Sequence, residues 1–234
     1  MYRLKWLAPA VILSVLACVL SCQGPGDKPN GIREGFIEYR MEYQGDSLNH
    51  LEYLLPKKMK MYFKDNNTRN SISDLAGVVE FTHIKNQQKG TYTTLVDVFS
   101  NQYKYVEENN QGGPSVFFQS RPQINIQRTD EIKTIAGCSS RRYNIYYPDQ
   151  DGTKREFPVY ATKDIQIKGF TDLTPFHDID GVLMEFQLQI YELPVKFTAI
   201  KVTSEEIPGE KFRIPAGYKQ VNKQSMKKIM DLLK

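Results

Sequence analysis

Met184-Glu185-Phe186-Gln187-Leu188-Gln189-Ile190, a break at Glu192-Leu193-Pro194, and then Val195-Lys196-Phe197-Thr198-Ala199-Ile200-Lys201 decide the fold class of this chain. Met184, Phe186, Leu188 and Ile190 recur at every second position, and Val195, Phe197, Ala199 and Lys201 continue that period after the turn. Successive side chains of a strand point to opposite faces, so a period of two puts each set on one face. Two such runs joined by a short turn form an antiparallel pair with a buried side.

The same period recurs upstream. Ile37, Tyr39, Met41 and Tyr43 alternate with Glu38, Arg40 and Glu42. Met59, Met61 and Phe63 alternate with Lys58, Lys60, Tyr62 and Lys64, and Asp65-Asn66-Asn67 reads as a turn. Further strands are expected over 68–73, 78–85, 91–99, 101–106, 142–147 and 155–162, with shorter ones at 116–118 and 124–128. Asn86–Gly90 and Pro148–Gly152 close hairpins, and Glu107–Pro114 is a polar loop. Thr129-Asp130-Glu131 reads as a helical turn or a bend, Phe170–Asp178 as irregular, and Phe212–Tyr218 as an extended end piece. Asn222 is placed to cap a terminal helix whose stripe is Met226, Ile229, Met230 and Leu233. About ten strands with little helix specify a mainly β fold, an antiparallel sheet that must curl or close.

The N-terminal stretch carries a different chemistry. Arg3 and Lys5 precede an apolar run from Leu7 to Leu20. Such a run of about 14 residues is shorter than the about 20 that span a membrane, and it matches the core of a secretory signal. Val19-Leu20-Ser21-Cys22 reads as a lipobox, with a small residue before the cysteine to be acylated. Val15-Leu16-Ala17-Cys18 is a second such box; Cys22 is preferred because the apolar run ends there and the Gly/Pro-rich stretch Gln23–Asn30 follows. A cleaved signal without lipid, or an uncleaved anchor, is the competing reading. The organisation expected is a signal over 1–21, a flexible tether over 22–34 and one β-rich domain over 35–234. Gln23, rather than an acidic residue, after the cysteine is compatible with the outer membrane, and the domain then faces the periplasm.

Composition agrees with an exported domain. Removing Arg3 and Lys5 from 31 basic residues leaves 29 against 27 acidic ones, too balanced for a nucleic-acid partner. Two of the three cysteines, Cys18 and Cys22, fall in the signal and lipobox, so Cys138 has no partner for a disulfide within the mature domain and reads as a structural thiol. The one tryptophan, Trp6, is also in the signal.

Four stretches carry a family likeness. They are Leu55-Pro56 leading into Lys57–Phe63; Thr134-Ile135-Ala136-Gly137 with Arg142-Tyr143; Ile179–Phe186; and Phe212–Tyr218. Together they resemble Gram-negative envelope lipoproteins of a family without an assigned function, whose fold resembles the LolA/LolB lipoprotein-carrier superfamily. Cys138 stands where that likeness leads one to expect an aromatic. The resemblance implies a large curved antiparallel sheet, an unclosed half-barrel, with a few helices including a C-terminal one and helix over the concave side.

On that architecture the candidate ligand-binding lining is Met59, Met61, Phe63, Met184, Phe186, Leu188 and Phe197. These side chains either receive an acyl chain or simply form the core, as apolar strand faces usually do. His177-Asp178-Ile179-Asp180 and Asp149-Gln150-Asp151-Gly152 lack the ligand sets of zinc and calcium sites and read as turns. Lys219, Lys223, Lys227 and Lys228 make the polar side of the last helix basic, most simply a solvated face. No phosphate-binding loop or nucleophile motif occurs, so no cofactor, metal or catalytic residue is expected. The functional expectation is a non-catalytic, lipid-anchored envelope protein that binds a hydrophobic or lipidic ligand or aids lipoprotein handling. The alternative is an assembly lipoprotein that contacts another envelope protein through its sheet edge or Tyr-rich surface.

Overall fold

The computed structural model describes residues 31–44, 55–73, 77–108, 124–148, 154–172, 174–190 and 193–232. The signal, both lipobox cysteines, the tether up to Asn30, the strand expected at 116–118 and the Asp149–Gly152 turn lie outside the described residues.

The strands are β1 (Glu34–Tyr43), β2 (Lys58–Lys64), β3 (Asn67–Ser73), β4 (Val79–Asn86), β5 (Thr91–Val98), β6 (Asn101–Glu108), β7 (Asn125–Ile135), β8 (Cys138–Pro148), β9 (Lys154–Thr162), β10 (Val182–Ile190), β11 (Leu193–Thr203) and β12 (Lys219–Gln220). They form one curved, unclosed sheet in the order β12-β6-β5-β4-β3-β2-β1-β11-β10-β9-β8-β7. Every pairing is antiparallel except β12 with β6. The mainly β, curling antiparallel sheet expected from the alternation is therefore the fold, and it is left unclosed, as the resemblance implied.

Two meanders meet at β1. From β1 to β6 the chain runs hairpin by hairpin to one edge, and from β7 to β11 it returns from the other. β1 pairs with β2 through Ile37↔Met61 and Tyr39↔Met59, and with β11 through Met41↔Phe197 and Tyr43↔Val195. The β10–β11 hairpin pairs Phe186 with Phe197 and Leu188 with Val195. The two phenylalanine rings stack, with centroids 4.9 Å apart, and Tyr39 meets Phe186 edge-on at 5.8 Å.

Three local expectations change. Thr129–Glu131 is neither a bend nor a helical start; β7 runs through it as one strand, with the register slipping between Arg128 and Ile132. A bulge of this kind kinks the strand without ending it. In β11 the pairs Tyr39↔Ala199 and Glu38↔Lys201 leave Ile200 as an extra residue. That reverses the face of everything after it, so Lys201 lies opposite Glu38 on the outer face instead of continuing the Val195–Ala199 stripe. The third concerns the cover. The only α-helix among the described residues is α1 (Lys223–Asp231), capped by Asn222 Oδ1 accepting from the Ser225 amide at 2.8 Å.

Non-helical segments do the covering. The strap between β9 and β10, residues 163–172 and 174–181, buries Ile165, Ile167, Phe176 and Ile179 against the inner face. Its start pairs with the incoming chain, where Ile32 N–H donates to Asp164 O at 2.7 Å and Gln166 N–H to Ile32 O at 2.8 Å. After β11 the chain crosses the outer face. Lys64 Nζ donates to Ile207 O, Arg69 Nη1 to Lys211 O, and the Tyr218 hydroxyl to Asp97. Having reached the β6 edge as β12, it turns over it. α1 then sets Met226 and Met230 on Val96 and Tyr105 of the inner face.

β1 needs glycine at its start. Gly35 has φ +148°, and a Cβ there would sit 2.0 Å from Thr203 O of β11. Gly35→Ala should lower unfolding stability by roughly 3 kcal/mol or more, because the obstacle is backbone. Gly209→Ala, whose added carbon meets nothing within 4 Å, should change it by under about 0.5 kcal/mol. Equilibrium urea titrations of the two variants check the contrast.

Candidate functional site

The sequence-predicted lining lies in the core. Met61, Phe63 and Met184 are fully buried, and Met59, Phe186 and Phe197 are buried in the same cluster, which Leu188 packs against. The structure brings all seven together, as strand alternation required. It also covers them with the strap, whose Phe176 and Ile179 belong to the same cluster. Cys138 is buried there too.

Half of the inner face is polar. The register Ile37–Met61–Asn70–His83–Thr94–Tyr105 crosses six strands, and beside it runs Gly35–Phe63–Thr68–Lys85–Tyr92–Glu107. Both ranks change from apolar to polar as they pass from β2 to β3. Lys85 is 5 % exposed, and its Nζ donates to Lys168 O at 2.5 Å and Gly169 O at 2.8 Å. It thereby pins the strap across the sheet, and Asn66 Oδ1 accepts the Lys168 amide from the β2–β3 turn. Burial holds the Lys85 ammonium below the usual lysine range, partly offset by Asp172. Burial likewise pushes the Tyr92 hydroxyl up to about 12 and the Glu107 carboxyl above its ordinary range. Tyr92 stacks against His83 with centroids 5.9 Å apart.

The open space on this face lies at the opposite end, where the strap stops short of the β7 edge. A groove of about 640 Å³ opens there, within the roughly 300–1,000 Å³ of small-molecule sites. Its apolar floor is Ile124, Ile126, Ile132, Tyr143 and Ala161, and its charged rim is Arg128, Arg141, Lys163, Asp164, Asp178 and Asp180. Ile124 and Ile126 also pack against the main core, so the floor continues the buried cluster outward.

Most of the rim is internally matched. Lys163 pairs with Asp180 at 2.7 Å, and Asp164 accepts the Ser139 amide at 2.7 Å. Arg141 Nη1 donates to Thr129 O at 3.0 Å and Asp130 at 3.3 Å. His177 lies 3.6 Å from Asp178, while Ile179 between the two aspartates is in the core. Among the described residues no three His, Cys, Asp or Glu side chains converge on a metal position.

Sequence alternation missed both features. In Asn67-Thr68-Arg69-Asn70-Ser71-Ile72-Ser73 only Ile72 is apolar, so the local pattern marks the inward set of Thr68, Asn70 and Ile72 by a single residue. The groove depends on the β7 bulge and on where the strap ends, which are matters of long-range packing. The available signal was polar residue types recurring at positions paired to the apolar stripes of β1 and β2.

No family model matches the chain, and no curated protein matches it.

The polar ranks carry a pH signature. His83 is half-buried with its Nε2 shielded from water, and burial pushes its pKa from 6.5 down to about 4. The unfolded chain then binds the proton first, so stability is lost as pH falls from 6.5 towards 4. His83→Gln should remove about 2 kcal/mol of the acid-side loss. The check is the difference between wild type and variant in urea unfolding at neutral pH and near pH 4.5; equal slopes would contradict it.

Proposed function

We propose that this chain is a non-catalytic, lipid-anchored protein of the cell envelope, held in the outer membrane and facing the periplasm. It binds a hydrophobic or lipidic ligand in the groove at the β7 end of its inner face, in the handling of lipids or lipoproteins. The observation that carries this reading is the groove floor. Ile124, Ile126, Tyr143 and Ala161 extend a packed apolar core to a place the strap leaves open. An acyl chain laid there exchanges water for apolar contact at about 0.8 kcal/mol per methylene, enough for binding without any catalytic group. The anchor rests on Val19-Leu20-Ser21-Cys22 and on the basic and apolar residues before it.

A second reading draws on β7 itself. This 11-residue strand ends the sheet, its outer side has no partner among the described strands, and Ile132 on it is 57 % exposed. Another envelope protein could add a strand there. The charges Arg128, Asp130, Glu131 and Lys133 and the bulge weigh against it, since these are devices that discourage strand addition.

Native mass spectrometry of the purified protein, with extraction of bound lipid, should find a co-purifying acyl species. A fluorescent fatty acid should be taken up, with affinity reduced about tenfold or more in Ala161→Trp and Ile126→Asp. Neither co-purification nor uptake would overturn the ligand-binding reading. The anchor has its own test. Cys22→Ala should move the protein from the membrane to the soluble fraction while Cys18→Ala does not; membrane attachment of Cys22→Ala would contradict lipidation at that residue.

A further inference from the structure

We infer that the groove selects an anionic amphiphile and that Arg128 is the residue that reads its headgroup. The inference rests on the ligand-binding reading above and adds the charge of the ligand.

The groove rim has three cations and three carboxylates. Two of the cations are committed: Lys163 to Asp180, and Arg141 to the Thr129 carbonyl and Asp130. Among the carboxylates, Asp164 takes a backbone amide and Asp178 lies beside His177. Arg128 alone of the cations has neither an ion pair nor a side-chain hydrogen bond among the described residues, and it is exposed at the groove.

Its position suits a headgroup. Ile124, Ile126 and Arg128 follow the period of two along β7, so the apolar lane runs directly to the guanidinium. Across the strand pair Ile126 faces Ile145 and Arg128 faces Tyr143. Immediately beyond, the register slips, and the next floor residue on β7 is Ile132. A chain lying over Ile124 and Ile126 therefore reaches Arg128, the one rim cation uncommitted among the described residues. The planar guanidinium offers paired N–H donors that match a carboxylate or phosphate bidentately. An alcohol head would use one of those donors, and an ammonium head would be repelled.

The test is calorimetric, since the mature domain carries no tryptophan to report binding. Dodecanoate, dodecyl phosphate, dodecanol and dodecylamine, all below their aggregation concentrations, share one chain and differ in the head. The two anions should bind about tenfold or more tighter than dodecanol, with dodecylamine weakest. Raising ionic strength should narrow that gap, because the site is open to solvent. In Arg128→Gln the two anions should fall to the affinity of dodecanol while dodecanol itself is unchanged; Arg128→Lys should restore part of the preference. Equal binding of anion and alcohol by the wild type, or a preference that survives in Arg128→Gln, would overturn the role of Arg128 and leave chain binding intact. Failure of all four probes to bind would overturn the ligand-binding reading together with this one.

Discussion

β1 is the strand on which the rest depends. It is paired on both sides, to β2 and to β11, and among the described strands the β1–β11 ladder is where the meanders β1–β6 and β7–β11 join. Its inner residues Ile37, Tyr39 and Met41 are almost wholly buried, and the Tyr39 hydroxyl donates to Leu183 O at 2.9 Å from inside the core. Burial pushes the Tyr39 hydroxyl far above the ordinary tyrosine range, so it stays neutral and a donor. The joint is thus apolar packing fixed in register by one satisfied buried polar group. Such groups specify an arrangement because leaving them unpaired is costly.

From that seam the inner face divides into unlike halves. Towards β11, β10, β9 and β8 it is apolar and the strap closes over it. Towards β3–β6 it is lined by Thr68, Asn70, His83, Lys85, Thr94 and Glu107, and α1 covers its far end. Lys85 links the two halves, because its ammonium satisfies strap carbonyls that packing would otherwise leave stranded. The strap is long enough to cover the apolar half but stops before the β7 edge. Among the described residues, the groove is what remains uncovered.

The outer face is organised differently. Lys60 stands 3.9 Å from the centroid of Phe36 and 4.9 Å from that of Tyr62, and Lys211 stands 4.8 Å from the latter. Tyr160 donates to Glu131, which also takes Arg142 at 2.8 Å. These exposed and half-exposed contacts each contribute little on their own. Together they let lysine stems and aromatic rings cover a sheet face on which, among the described residues, the segment 204–218 is the only second layer.

The sequence by itself determined the fold class, most strand positions, the helix cap at Asn222 and the apolar stripes of single strands, though not the strap's Ile165, Ile167, Phe176 and Ile179. The reason is that period-two alternation and capping are local: Met184, Phe186 and Phe197 must share a side whatever they pack against. The proposed anchor also rests on sequence alone, on the contiguous string Val19-Leu20-Ser21-Cys22. Tertiary structure alone decided that a strap covers the apolar half while α1 covers only the far end by β5 and β6, that Ile200 flips Lys201 outward, and that Asn70, His83 and Lys85 face inward. It alone decided that the candidate site lies at Ile126, Arg128 and Tyr143 rather than at the most apolar strands. Where both alternate sets of a strand are mostly polar, local pattern carries little sign, and the register with an apolar neighbour supplies it. A groove, being the space that distant segments fail to fill, has no local pattern at all.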